Sequence, residues 1–238
     1  MRRFLTIALF TLIPFSPVNA QAKRAPAAGS PHRKPAGTPK TVSAETPTPR
    51  GTIVGRTYTN RALRFEITFP DTWLIADDKF YAYMKAHGAD LTPKPPTAAI
   101  PVDQQKINAA FNRLTILLTV YRALPGTEGN AVARVAAENI RLLNTSRPVR
   151  DAVDYVDLMR SQISQIRMPP DYKYSETQAE QLGSNQFAFI DTYDKMQKTR
   201  VYVTVRGGFA LLFSLAYTAD EDLETFRDVL ARANFALK

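Results

Sequence analysis

The 238-residue chain has no cysteine, one tryptophan and two histidines. Without cysteine there are no disulfides, thiolate metal sites, cysteine nucleophiles or lipid-bearing N-terminal cysteine. His32 and His87 are the only imidazoles, which leaves little from which to build a two-histidine metal centre. The chain also has no Gly-x-Ser-x-Gly elbow, no phosphate-cradling glycine loop and no His-Glu-x-x-His. Its longest apolar run, Phe4 to Ile13, falls short of the roughly 20 residues needed to span a bilayer. These absences argue against bond-breaking chemistry and imply no cofactor.

The N-terminus has the layout of a secretory leader. Arg2 and Arg3 precede the apolar run, Pro14 breaks it, and Val18-Asn19-Ala20 and Ala20-Gln21-Ala22 offer overlapping small-x-small cleavage sites. Residues 1–20 are therefore expected to be a signal peptide. The mature protein is expected in a periplasm or extracellular space.

Residues 21–50 differ in composition from residues 51–238. They hold Pro26, Pro31, Pro35, Pro39, Pro47 and Pro49 and no aromatic residue, with six basic side chains against Glu45 alone. Such a stretch cannot bury enough apolar surface to offset its ordering entropy, so it is expected to be a disordered linker. Together with Arg2 and Arg3 it accounts for eight of the 31 Lys and Arg residues. That leaves 23 basic against 21 acidic residues in 51–238. The net charge of +9 thus belongs largely to the leader and tail. The tail reads either as a weak tether to anionic lipid or wall polymer or as a soluble spacer. Its dispersed charges and the export signal argue against nucleic acid.

Residues 51–238 suit a single core. Phe65, Ile67 and Phe69 alternate with Arg64, Glu66 and Thr68 as in a half-buried strand, with Thr52 to Thr59 as its partner and Trp73 to Ile75 returning to the core. Leu114 to Tyr121 is apolar on both sides, the mark of a central strand. Apolar spacing predicts helices over Asn130 to Leu143 and Asp151 to Arg167. Strands are expected at Gln186 to Tyr193, Thr199 to Arg206 and Phe209 to Tyr217, the last two joined by a Gly207-Gly208 turn. Thr218 and Glu221 have capping-box spacing before a final helix with Leu223, Phe226, Leu230 and Ala233 on its buried stripe. The class is α+β, an antiparallel sheet sandwiched between helices.

Candidate sites are few. Asp220, Glu221, Asp222 and Glu224 read as helix-start acids, and Asp151, Asp154 and Asp157 as a solvated helix flank. His87, as a hydrolase base, would need a nucleophile that spacing does not supply. Tyr193, Lys195, Lys198, Arg200, Tyr202 and Arg206 mix basic and aromatic side chains on one hairpin. They suit either an acidic strip on a partner or an ordinary solvated sheet face.

Tyr58-Thr59-Asn60, then Leu63 through Trp73, resembles the opening of PsbP-like domains, where an alternating strand is followed by proline and tryptophan. The end is similar too, with Gly207 to Leu215 followed by Thr218 to Asp222 opening a last helix. The resemblance implies an antiparallel sheet between helices. Its relatives include an extrinsic photosystem II subunit, a nuclear-import factor that binds the GTPase Ran, and exported bacterial proteins. These share protein binding more than any chemistry, and no family catalytic residue carries over. The expectation is a non-enzymatic module for another envelope or exported protein. The alternative is a carrier of small apolar ligands or lipid between sheet and helices.

Overall fold

The structure is a computed structural model that describes residues 50–143, 145 and 148–237. The expected leader and nearly all of the expected linker lie outside the described residues.

Two sheets, both wholly antiparallel, organise the domain. The smaller has β1 (Thr52–Val54), β2 (Thr57–Asn60) and β3 (Phe65–Thr68) in that order. The expected single strand over Thr52 to Thr59 is divided at Gly55, whose φ of 59° turns β1 back on β2. The larger sheet runs β4 (Leu74–Ile75), β5 (Thr115–Tyr121), β6 (Val132–Asn139), β11 (Phe209–Tyr217), β10 (Lys198–Arg206), β9 (Asn185–Tyr193) and β7 (Lys173–Tyr174), with β8 (Gln178–Leu182) also pairing with β9. Gly207 and Gly208, at φ 58° and 87°, close the β10–β11 hairpin as their residue type demands.

Among the described residues there are also four α-helices. The helices α1 (Asp78–Ala86) and α2 (Pro101–Phe111) occupy a stretch whose weak periodicity did not reveal them. The Asp77 carboxylate caps α1 by accepting from the Phe80 amide at 2.8 Å. Asp151 does the same for α3 (Ala152–Ile163), accepting from Asp154 at 2.9 Å. The last helix, α4 (Asp220–Arg232), carries the expected acids in its first turn. Its expected capping box is not formed. Ala219 is the N-cap, and the Thr218 hydroxyl donates instead to the Gly129 carbonyl at 3.3 Å.

The helix expected over Asn130 to Leu143 is corrected to a strand, β6, paired along its whole length with β11. Every residue from Val132 to Glu138 is buried. When both faces are covered any period fits the apolar residues, and the alanines that suggested a helix are what close packing on both sides requires.

One face of the main sheet carries Leu211, Phe213, Leu215 and Tyr217. It packs under α4 and the small sheet through Phe65, Ile67, Trp73, Phe226 and Leu230. Phe235 packs into this layer, stacked on Phe65 and edge-on to Phe187 and Phe213. The opposite face carries Ala136, Ile190, Val201, Val203, Ala210 and Leu212 beneath α2 and α3. At its β5–β6 edge, Tyr121 and Val132 lie beneath α1, with Phe80 stacked on Tyr121. Small Ala210 lets α3 approach, and the sandwich is as expected.

Candidate functional site

Strand alternation places Lys198, Arg200, Tyr202, Thr204 and Arg206 on the α4 side of β10. Eight residue steps separate Lys198 from Arg206, about 27 Å along the strand. The six residues read as one basic-aromatic face therefore divide in two.

Three are drawn into the layer beneath α4. Tyr202 is fully buried, and its hydroxyl donates to Glu180 Oε2 at 2.7 Å. Burial pushes its phenol well above the ordinary tyrosine range. Arg200 lies over the Phe189 ring at 4.2 Å and donates to both carboxylate oxygens of Asp191. Burial opposes its charge, but Asp191 outweighs that and holds the guanidinium above its usual value. Arg206 reaches the Phe235 carbonyl and lies over the same ring at 5.1 Å. Arg227 of α4 pairs with Glu180 and Glu224, so these groups tie the helix to β8, β9 and β10.

The other three gather at the open end of the hairpin. Tyr193 is 38% exposed and stands between Lys173 of β7 and Lys198 of β10. Burial on its inner side raises its phenol, Asp191 adds to this, and Arg200 and Lys198 oppose it. The turn after Tyr193 is built by Asp194, whose Oδ1 accepts from the Met196 and Gln197 amides at 2.8 and 3.0 Å. Its tip presents Lys195 and Met196, the latter 68% exposed. Lys198 pairs with Asp220 at 2.8 Å and lies over Tyr217. Neither Lys173 nor Lys195 joins an ion pair among the described residues.

No protein-family model matches the chain, and no curated protein does. Among solved structures it is similar to cyanobacterial PsbP from Synechocystis sp. PCC 6803, in solution. The match covers 77% of this chain and 97% of that one at 14% identity, with a TM-score of 0.43. The likeness is one of fold. No residue role is taken from it.

Sequence reading missed Lys173, Tyr174 and Met196. The first two sit on a two-residue strand that becomes an element only by pairing with β9, and Met196 looked like any turn residue. Tyr174 points to the α3 side, where it lines an open groove of about 310 Å³ with Asp157, Arg160, Ser161 and Ser164. His87 ends α1, its Nδ1 donating to the Tyr83 carbonyl at 2.8 Å with its ring 4.1 Å from that of Tyr83. Among the described residues no group of three or more His, Asp or Glu is placed to hold a metal ion. None of the described helices is long and apolar enough to cross a membrane.

Proposed function

We propose that this chain is a non-enzymatic binding module. It engages an acidic segment of another exported protein through the open end of the β9–β10 hairpin. The observation that carries this reading is the pairing of Tyr193 and Met196, both exposed, with Lys173 and Lys195, neither ion-paired among the described residues, around a turn fixed by Asp194. Tyrosine and methionine supply contact area at little entropic cost, and they are enriched at interfaces where lysine is otherwise rare. Two uncompensated ammonium groups favour an acidic partner and speed its encounter. The leader-like residues 1–20 support export, and residues 21–50 would give the module reach.

A photo-crosslinking residue at position 196 of the full chain, in cells that express it, tests the reading. Adducts should form from 196 and not from 153 on the outer side of α3, and they should vanish when Lys173 and Lys195 are both changed to Glu. Adducts that survive this reversal, or form equally from 153, would overturn the proposal, as would none at all. Export is checked separately by N-terminal sequencing of the mature protein, which should begin near residue 21 or 23.

A further inference from the structure

The main sheet has two edges, and they are built differently. At one, β4 is two residues long and pairs only with Val120 and Tyr121, and the rest of β5 is interrupted by a bulge between Ile116 and Leu118. At the other, β7 is two residues long and carries Lys173, but β8 pairs with β9 without a break from Gln178 to Leu182. Soluble proteins blunt open edges by brevity, bulges, proline, lysine or an inward charge. The β8 segment Gln178-Ala179-Glu180-Gln181-Leu182 has no proline and no lysine. Its one charge, Glu180, is paired with Arg227 and accepts from the Tyr202 hydroxyl, so it does not repel a neighbouring strand.

The β8–β9 turn shows which backbone groups are open. Only Gly183 and Ser184 separate Leu182 from its partner Asn185, so these two partners exchange both ladder bonds. Bonding alternates from there. Glu180 and Gln178 bond to Phe187 and Phe189, and Ala179 and Gln181 turn their N–H and C=O groups outward. Those outward groups make no hydrogen bond among the described residues. Gln178, Ala179 and Gln181 are all exposed.

We propose that β8 is the interface of a homodimer, pairing antiparallel with β8 of a second copy across a two-fold axis at Ala179. Thr177 to Gln181 is self-complementary in this register. Ala179 faces Ala179 of the second copy, a hydrogen-bonded pair of two small residues. Gln178 faces Glu180 of the second copy in the close, non-hydrogen-bonded pair, where its amide donates to a carboxylate that still has lone pairs to accept it. Symmetry makes that contact twice. A register centred on Glu180 would instead set two carboxylates directly opposite, which is unfavourable. The pairing joins two eight-stranded sheets into one. With five residues of β8 per copy the interface is small, so the dimer is reversible. It uses no residue of the hairpin end and is independent of the reading proposed there.

Sedimentation velocity of the full chain over a wide concentration range tests this, with urea midpoints to show that each variant folds. Concentration-dependent exchange between monomer and dimer is expected. Ala179→Pro removes an outward N–H that the β8–β9 ladder does not use, so the fold should survive and the dimer should be lost. Gln178→Glu sets carboxylates opposite each other and should raise the dissociation constant about threefold or more, and Gln178→Lys should lower it about as much. Lys173→Glu with Lys195→Glu should leave dimerisation unchanged. A monomer at every concentration overturns the proposal, as does a dimer that persists in folded Ala179→Pro. Affinities that do not follow the charge at position 178 overturn it too, and loss of the dimer in the lysine double variant would place the interface at the hairpin instead.

Discussion

Arg200 stands directly across the β9–β10 ladder from Asp191 and grips it with both arms of its fork, Nε to Oδ1 and Nη2 to Oδ2, each at 2.7 Å. The Asp191 side chain is 8% exposed and that of Arg200 17%, so removing either leaves a largely desolvated charge. Arg200→Ala should cost about 2–3 kcal/mol, less than a fully buried pair because water reaches one side. A double-mutant cycle by urea unfolding should show the two costs to be strongly non-additive. Simple additivity would show that the pair contributes little.

Glu138 gives the molecule a pH dependence. It is 1% exposed and burial raises its carboxyl above the ordinary range, against the lowering effect of bonds from Tyr155 at 2.6 Å and Arg113 at 2.8 Å. The folded state therefore holds this proton at pH values where the unfolded chain has released it. Its contribution to stability is present below the ordinary glutamate value and is lost as pH rises through the folded value. In Glu138→Gln that decline just above pH 4.5 should flatten, as read from urea midpoints across pH. An unchanged profile would assign the slope to other groups.

Gly183 and Gly207 both have positive φ, at 58°, yet they should respond differently to alanine. A Cβ on Gly183 would lie 2.0 Å from the Ala231 carbonyl oxygen of α4, whereas one on Gly207 meets nothing within 4 Å. Gly207→Ala should cost about 1 kcal/mol for the left-handed backbone alone. Gly183→Ala should cost at least about 3 kcal/mol, because α4 must move off the β8–β9 turn. Equal unfolding midpoints for the two variants would contradict this packing.

Phe235 lies beyond α4 and is 4% exposed, with its ring 5.6 to 6.0 Å from those of Phe65, Phe187 and Phe213. It bridges the small sheet to the large one. Phe235→Ala should lower stability by about 3–4 kcal/mol, measurable by thermal or urea unfolding. A change below about 1 kcal/mol would mean that the chain end does not hold the two sheets together.

Much of the architecture could be read from local pattern. The alternation of Phe209 to Tyr217, the Gly207-Gly208 turn and the periodic helix after Asp151 are local in origin, since each depends on residues within a few positions of one another. The strand β6 was not legible, because burial on both faces erases the alternation that distinguishes a strand. For the same reason Arg134 and Glu138, assigned to a helix by period, were not recognised as buried charges. Thr218 failed as a cap because Gly129, 89 residues earlier, takes its hydroxyl.

The hairpin shows where local reading stops. Sequence determined that Lys198, Arg200, Tyr202 and Arg206 share one side of a strand, because side-chain direction follows from a two-residue repeat. Only the tertiary structure decided that Phe226 of α4 packs on Tyr202, that Asp191 takes Arg200 and that Phe235 takes Arg206, while Lys195 and Tyr193 stay open and gain Lys173 as a neighbour. A repeat shows which side chains point together. What covers them is settled by distant segments competing to bury apolar area, and no local window contains that competition.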